Sequence, residues 1–330
     1  PAAAGPGARA PRLALMRVLF AGTPEAALPT LQSLMNDSEH EVVGVLTRAD
    51  ARRGRGRVLR PSPVAAVARR AAVDVRTPAG LRDEGTGAWV RSLKADVAVV
   101  VAYGRLVPPV LLDAPEHGWL NLHFSLLPAW RGAAPVQHAL MAGDAVTGAC
   151  VFRLEEGLDT GPIYARLTET IRPTDTAGDL LARLADAGAP LVLDVLRSLA
   201  RGAATPEPQG DEGVTLAPAL APADGEIRWT DPAPLIERRV RGVTPAPGAR
   251  TLYEGVRLRL GPVELVPEVD DLPPGWIRVA RHEVLAGTGS CAVRLGEVAP
   301  AGRKWMTADA WARGARPPAD AVLGEQGEGL

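Results

Sequence analysis

The run Val97-Ala98-Val99-Val100-Val101-Ala102-Tyr103 constrains the fold more than any other stretch, because no charge or amide interrupts it. A strand with one wet face alternates apolar and polar residues. An unbroken apolar run of strand length belongs instead to a strand buried on both faces, as in a parallel sheet covered by helices. Arg17–Gly22 and Glu41–Leu46 are further short apolar runs, and Trp119–Leu122 reads as another short buried strand. Helical stretches lie between them. Thr23-Pro24-Glu25 marks a helix start that carries on to about Asn36. Ser62-Pro63 marks a second, running to about Ala72, by the same logic of a hydroxyl at the N-cap and proline at the first helical position. Val73–Val75 fits a strand, and Leu81–Leu93 a helix whose first half is weakened by Gly85 and Gly87. This alternation predicts an α/β fold: a Rossmann-like, mostly parallel sheet with helices on both faces. Ala21-Gly22-Thr23-Pro24-Glu25 lacks the G-x-G-x-x-G spacing, so a dinucleotide cradle is unsupported.

A chain of 330 residues suits two domains, since single cores rarely grow past roughly 250–300 residues. Residues 1–15 are rich in Ala, Pro and Gly and are expected to be a disordered extension; Met16 opens the first strand. The first domain is placed at 16–203. Within it, Pro135–Ala142 reads as a helix, and Thr147–Leu154 and Ile163–Thr170 as an edge hairpin. Thr176 with Asp179 caps a long helix reaching Leu199. A Gly/Pro-rich linker is expected over 204–222. The second domain, 223–330, begins with a helix from Pro234 to Arg241. Short strand candidates follow at Arg250–Leu252, Val256–Leu260, Trp276–Ala280, Glu283–Ala286 and Cys291–Leu295, which predict a small, OB-like β-barrel.

Net charge is −1, which argues against coating nucleic acid by bulk electrostatics and leaves room for a local basic patch. Cys150 and Cys291 are far apart and lack ligand-spaced partners, so no metal site is implied. No apolar run approaches the ~20 residues of a membrane span. A cytoplasmic, membrane-free monomer is the expectation.

Asn121 and His123 sit two residues apart at the end of a strand, so alternation aims both side chains to one face. Asp159 lies in Gly157-Leu158-Asp159-Thr160-Gly161, a tight turn able to push a carboxylate into a site. Each alone has an ordinary reading: a satisfied polar residue, or a turn-former. Together, an amide, an imidazole and a carboxylate are the groups that acyl transfer to an amine requires. The first two stabilise an oxyanion, and the third orients the imidazole or collects the proton. A second feature is the arginine-rich stretch Arg48, Arg52, Arg53, Arg55, Arg57 and Arg60, with Gly54 and Gly56 interleaved and only Asp50 opposing. It is either a solvated basic loop or a mobile one able to follow a phosphate backbone.

Asn-Leu-His-x-Ser-Leu-Leu-Pro from Asn121, Trp-Arg-Gly-Ala-Ala-Pro-Val-Gln from Trp130, and Gly-Leu-Asp-Thr-Gly from Gly157 closely resemble the methionyl-tRNA formyltransferases. The resemblance covers Met16–Leu330 and is weakest in the C-terminal third. It implies transfer of formyl from 10-formyltetrahydrofolate, a co-substrate, to the amino group of methionyl initiator tRNA, with no metal. It implies Asn121, His123 and Asp159 as the catalytic trio. The folate would be held by Tyr103, Gly104, Arg105, Leu106 and Val107, by Ser125, Leu126, Leu127 and Pro128, and by Leu158. Arg55, with Arg52, Arg53 and Arg57, matches a loop that wedges into the tRNA acceptor stem. Arg303 and Lys304 in Pro300-Ala301-Gly302-Arg303-Lys304 match a C-terminal motif; read alone they are equally a solvated turn before a Thr307-capped helix.

Two departures stand out. Phe124 occupies a place where the resembling family has glycine, so an aromatic ring either closes the folate slot or fills a gap. Arg241-Gly242-Val243-Thr244-Pro245-Ala246-Pro247 replaces an aromatic-rich pattern. Three rival functions remain. One is a folate formyltransferase acting on a sugar nucleotide or glycinamide ribonucleotide, which needs neither the arginine loop nor this C-terminal domain. The others are a nucleotide-dependent oxidoreductase and a non-catalytic tRNA-binding protein.

Overall fold

The computed structural model describes residues 15–53 and 58–324. In chain order it holds β1 (Met16–Gly22), α1 (Leu28–Asn36), β2 (His40–Leu46), β3 (Ala51–Arg53), β4 (Val58–Arg60), α2 (Pro63–Arg70) and β5 (Val75–Arg76). Then come α3 (Glu84–Ser92), β6 (Val97–Val101), α4 (Pro109–Leu112), β7 (Trp119–His123), β8 (Arg131–Gly132), α5 (Pro135–Ala142), β9 (Val146–Arg153), β10 (Ile163–Thr170) and α6 (Ala177–Ala200). The chain forms two compact units. The first comprises residues up to His123, Cys150–Ala165 and Ala185–Pro208; the second Phe124–Ala149, Arg166–Leu184 and Gln209 onward.

One seven-stranded sheet runs in the order β10-β9-β7-β6-β1-β2-β5. β5, β2, β1, β6 and β7 pair in parallel, and β9 joins β7 antiparallel. The apolar run that predicted a doubly covered strand is β6, buried along its whole length. Leu19, Ala21, Ala98 and Val100 pack on one face with Val90 of α3 and Leu111 of α4. On the other face α6 lies tight against β7: a Cβ added at Gly188 would stand 2.8 Å from Leu122 Cδ2. The helices thus cover both faces, as the Rossmann-like expectation requires. The strand order reverses between β1 and β6, where crevices form at the carboxyl ends of parallel strands.

Ser62 caps α2 as expected, its Oγ accepting from Ala65 N–H at 2.9 Å. Thr176 and Asp179 form the reciprocal box at the start of α6. Thr23 does not cap a helix. Its hydroxyl donates to the Tyr103 carbonyl at 3.1 Å, and Glu25–Ala27 makes a 3-10 turn before α1. Gly85 and Gly87 do not interrupt α3, which Asp83 caps by accepting from Thr86 N–H at 2.8 Å.

The second unit contains β11 (Leu216–Ala217), α7 (Ala233–Gly242), β12 (Arg250–Tyr253), β13 (Val256–Leu260), β14 (Val263–Val266), β15 (Ile277–Val279), β16 (Val284–Ala286), β17 (Ala292–Leu295), β18 (Glu297–Pro300), β19 (Met306–Thr307) and α8 (Ala308–Ala315). Its strands form two antiparallel four-stranded sheets, β12-β13-β18-β19 and β14-β17-β16-β15. Both sheets feed one core, in which Leu258, Leu260 and Val298 meet Val263, Val293 and Leu295. Ile236 and Val240 of α7 and Trp311 of α8 close it. The Gly/Pro-rich stretch after α6 is hydrogen-bonded at several points. Glu207 and Ile163 exchange backbone bonds, and β11 pairs in parallel with β8. The Arg131 guanidinium donates to Gln209 Oε1 at 2.7 Å.

Candidate active site

Asn121 and His123 occupy the carboxyl end of β7, between β6 and β9. Val100 and Phe152 flank Asn121, and Cys150 stands opposite His123. The pleat puts the two side chains on one face, about 7 Å apart along the strand. Leu122 between them turns to α6. His123 is buried, with its ring edge-on to Phe152 at 6.2 Å between centroids. The Asn121 side chain is half-buried and makes no hydrogen bond to another described residue, so its amide is an available donor.

Asp159 reaches this strand from the turn between β9 and β10. It adopts φ +52°, a left-handed conformation that aspartate tolerates better than most side chains. The bracketing glycines are needed for close approach. A Cβ at Gly161 would stand 1.8 Å from the Arg153 carbonyl oxygen, and one at Gly157 2.2 Å from Thr160 Oγ1. The result brings Asp159 Oδ2 to 3.8 Å from His123 Nδ1, with side-chain exposures of 13% and 5%. That is longer than a direct hydrogen bond and close enough for the carboxylate to orient the imidazole. Catalytic contacts in ligand-free sites are commonly this loose and tighten when substrate arrives.

The Ala102–Val107 loop leaves β6 at the point where the strand order reverses. Ala102 (φ +47°) and Gly104 (φ +76°) bend it sharply. Tyr103 is buried with its hydroxyl lacking a hydrogen bond, and burial pushes its pKa up to about 12 against the opposing pull of Arg105 and Arg48. Arg105 Nε is likewise buried without a partner. Leu106 is 83% exposed and Leu158 53%. Unpartnered polar atoms in the same loop as the uncovered Leu106 suit an amphipathic ligand.

In the second unit, Ser125 is fully buried and its hydroxyl donates to the Ala129 carbonyl at 2.6 Å, so it is no nucleophile. Leu127 is buried, Leu126 and Pro128 are half-buried, and the Leu127–Pro128 bond is cis. Phe124 is 6% exposed. Of the arginine stretch, Arg52 is an exposed residue of the β3–β4 hairpin and Arg53 ends β3. Arg55 and Arg57 lie outside the described residues. Arg303 and Lys304 are exposed on the turn between β18 and β19. Phe152 is the residue of this site that sequence reasoning missed, because only the β7–β9 register reveals that it stands opposite Asn121.

The formyl transferase profile matches residues 16–196, which span this whole constellation. The chain belongs to the formyl transferase family. The C-terminal domain that accompanies such proteins matches residues 219–316. Among formyl transferases, the methionyl-tRNA formyltransferase of Salinispora tropica is 54% identical over 308 residues, covering 93% of this chain and 100% of that one. The methionyl-tRNA formyltransferase of Acidothermus cellulolyticus is 56% identical over 317 residues, covering 91% and 98%. The crystal structure of HypX from Aquifex aeolicus in complex with tetrahydrofolic acid shares the fold, with TM-score 0.64 and 18% identity over 91% of this chain and 47% of that one. No group of His, Cys, Asp and Glu among the described residues could hold a metal ion. No described helix is long and apolar enough to cross a membrane.

Proposed function

We propose that this formyl transferase moves the formyl group of 10-formyltetrahydrofolate onto the amino group of methionyl initiator tRNA. The observation that carries the reading is identity above half, over nine-tenths of the chain, to proteins named for that activity. The folate is consumed as a co-substrate. Tyr103–Val107 and Leu158 suit it through unpartnered polar atoms and uncovered leucines, and Ser125–Pro128 are proposed as further contacts.

The trio acts on one carbonyl carbon. The α-amino group, with a reference pKa of about 8, attacks as the free base. As its nitrogen adds, the formyl oxygen gains negative charge, which Asn121 Nδ2–H and the His123 imidazole stabilise by donation. Asp159 orients the imidazole and draws the proton leaving the nitrogen. The old carbon–nitrogen bond then breaks, with a proton returned to the departing folate nitrogen. Ser125 is tied to a carbonyl, which leaves direct transfer rather than a formyl-enzyme. Arg52, Arg53, Arg55 and Arg57, with Arg303 and Lys304, are proposed as the contacts to the tRNA backbone. We assign the catalytic work and the arginine-loop contacts to residues 16–203 and further tRNA binding to 223–330, in a cytoplasmic monomer.

Assays with 10-formyltetrahydrofolate as donor test this directly. Methionyl initiator tRNA is expected to be formylated, and glycinamide ribonucleotide and amino-sugar nucleotides are not. Formylation of a small amine alone would overturn the substrate assignment.

A further inference from the structure

The outer face of the β12-β13-β18-β19 sheet carries a tryptophan that the core does not use. Trp305 is 44% exposed, and the Arg259 guanidinium carbon sits 4.7 Å from its ring centroid. The register explains the contact. Arg259 pairs with Ala299 across β13–β18, while Glu297 and Val298 pair with Thr307 and Met306 across β18–β19. Continued by one residue, that register puts Trp305 beside Ala299, whose methyl leaves room for the arginine stem to cross.

The surroundings are cationic. Arg257 shares the outward face with Arg259, two residues away on β13, and both are exposed. Arg303 and Lys304 lead directly into Trp305. None of these four cations has a carboxylate partner among the described residues. Arg250 stands directly opposite Arg259 but is neutralised by Glu226 at 2.7 Å. Glu297 is the acid on the same face. Four cations without carboxylate partners, gathered around one exposed ring, repel one another, a cost that folding does not explain. An aromatic ring backed by arginine and ringed by unpaired cations is the chemistry that stacks a nucleobase and holds its phosphates.

We propose that Trp305, held by Arg259, is a stacking platform for an unpaired nucleotide of the RNA substrate, with Arg257, Arg303 and Lys304 contacting the adjoining phosphates. The platform extends the tRNA reading above and adds a base contact to what would otherwise be purely electrostatic attraction.

The test uses the full chain and three RNA probes: deacylated initiator tRNA, a single-stranded oligouridylate, and a blunt hairpin without unpaired bases beyond its loop closure. Trp305→Ala is expected to weaken tRNA and oligouridylate binding about 5- to 100-fold while leaving its salt dependence intact. Trp305→Phe restores most of the affinity. The double variant Arg257→Ala/Lys304→Ala lowers the slope of log affinity against log salt by about 1–2. Folate binding and the melting temperature stay at wild-type values, since Trp305 is outside the core. Wild-type RNA affinity in Trp305→Ala would overturn the platform, as would a change in sedimentation with unchanged RNA binding, which would mark self-association. If wild-type protein formylates no methionyl-tRNA yet Trp305→Ala still loses RNA, the substrate reading fails and the platform stands.

Discussion

His123 Nδ1 and Asp159 Oδ2 face each other at 3.8 Å, with side-chain exposures of 5% and 13%. One group comes from the middle of a sheet and the other from an edge turn, so their meeting depends on both backbone positions. Removing one donor to a developing oxyanion typically costs about 3–4 kcal/mol in the barrier. His123→Ala, which removes a donor, and Asp159→Asn, which removes the group that draws the proton, are each expected to lower kcat at least about a hundredfold, with unfolding midpoints near wild type. Steady-state formylation beside circular dichroism melts checks this. A residual rate of about a tenth would reject the assignment.

The turn that carries Asp159 gives a second prediction. Gly161 leaves no room for any side chain, because its Cβ would overlap the Arg153 carbonyl oxygen. Gly161→Ala must shift the backbone between β9 and β10, and Asp159 moves with it. The expected outcome is a loss of about 1–3 kcal/mol in stability. Alongside it, turnover should fall at least about tenfold, since small misplacements of reacting groups cost heavily. Urea titration and kcat on the same preparation separate the two effects. Full turnover in the variant would show that the Asp159 position is not critical.

The parts of this fold governed by neighbours in sequence were readable in advance. The apolar run of β6, the Ser62 cap and the Thr176–Asp179 box all depend on residues within a few positions of one another. What resisted reading depends on distant pairings. Thr23 looks like a cap locally, but its hydroxyl is claimed by the Tyr103 carbonyl, eighty residues on. β14, β18 and β19 are short and hemmed by Pro262, Pro267, Gly296 and Pro300, so no local pattern marks them; their partners on β17, β13 and β18 do. The stretch after α6 has the composition of a free linker, yet β8 offers it a backbone edge to pair with. In the site, the three polar residues were legible as chemistry, whereas Phe152 became visible only through register. The stacking of Arg259 on Trp305, next to the basic turn at Arg303, is a contact between strands that sequence spacing does not encode.

Asp175 ties the second unit together in a pH-dependent way. It is 4% exposed and accepts from Arg183 Nη2 at 2.6 Å and from Arg172 N–H at 2.8 Å. Burial alone would raise its pKa, but the Arg183 and Arg172 contacts outweigh that and hold it below the ordinary aspartate value. The folded state therefore binds this proton less readily than the unfolded chain. Its contribution is complete above the unfolded pKa of about 4 and fades as pH falls through the lower folded value. Asp175→Asn is expected to cost about 3 kcal/mol at neutral pH, with Arg183 left to Glu169. The penalty should shrink below about pH 4. Denaturant titrations at neutral and acidic pH check the sign; an equal penalty at both would remove the linkage.

Phe124 decides whether the departure from glycine touches ligand or packing. At 6% exposure the ring is nearly enclosed, which favours packing. Deleting a buried phenyl ring costs about 3–5 kcal/mol through lost transfer energy and the cavity left behind. Phe124→Gly adds the greater freedom of a glycine backbone in the unfolded chain. The expected outcome is destabilisation of at least that size, with folate affinity unchanged or weaker. Were the ring instead a plug over the folate slot, the glycine variant would keep its stability and bind the folate more tightly. A melting curve combined with calorimetric titration of a folate separates the two, because the alternatives predict different outcomes in both measurements.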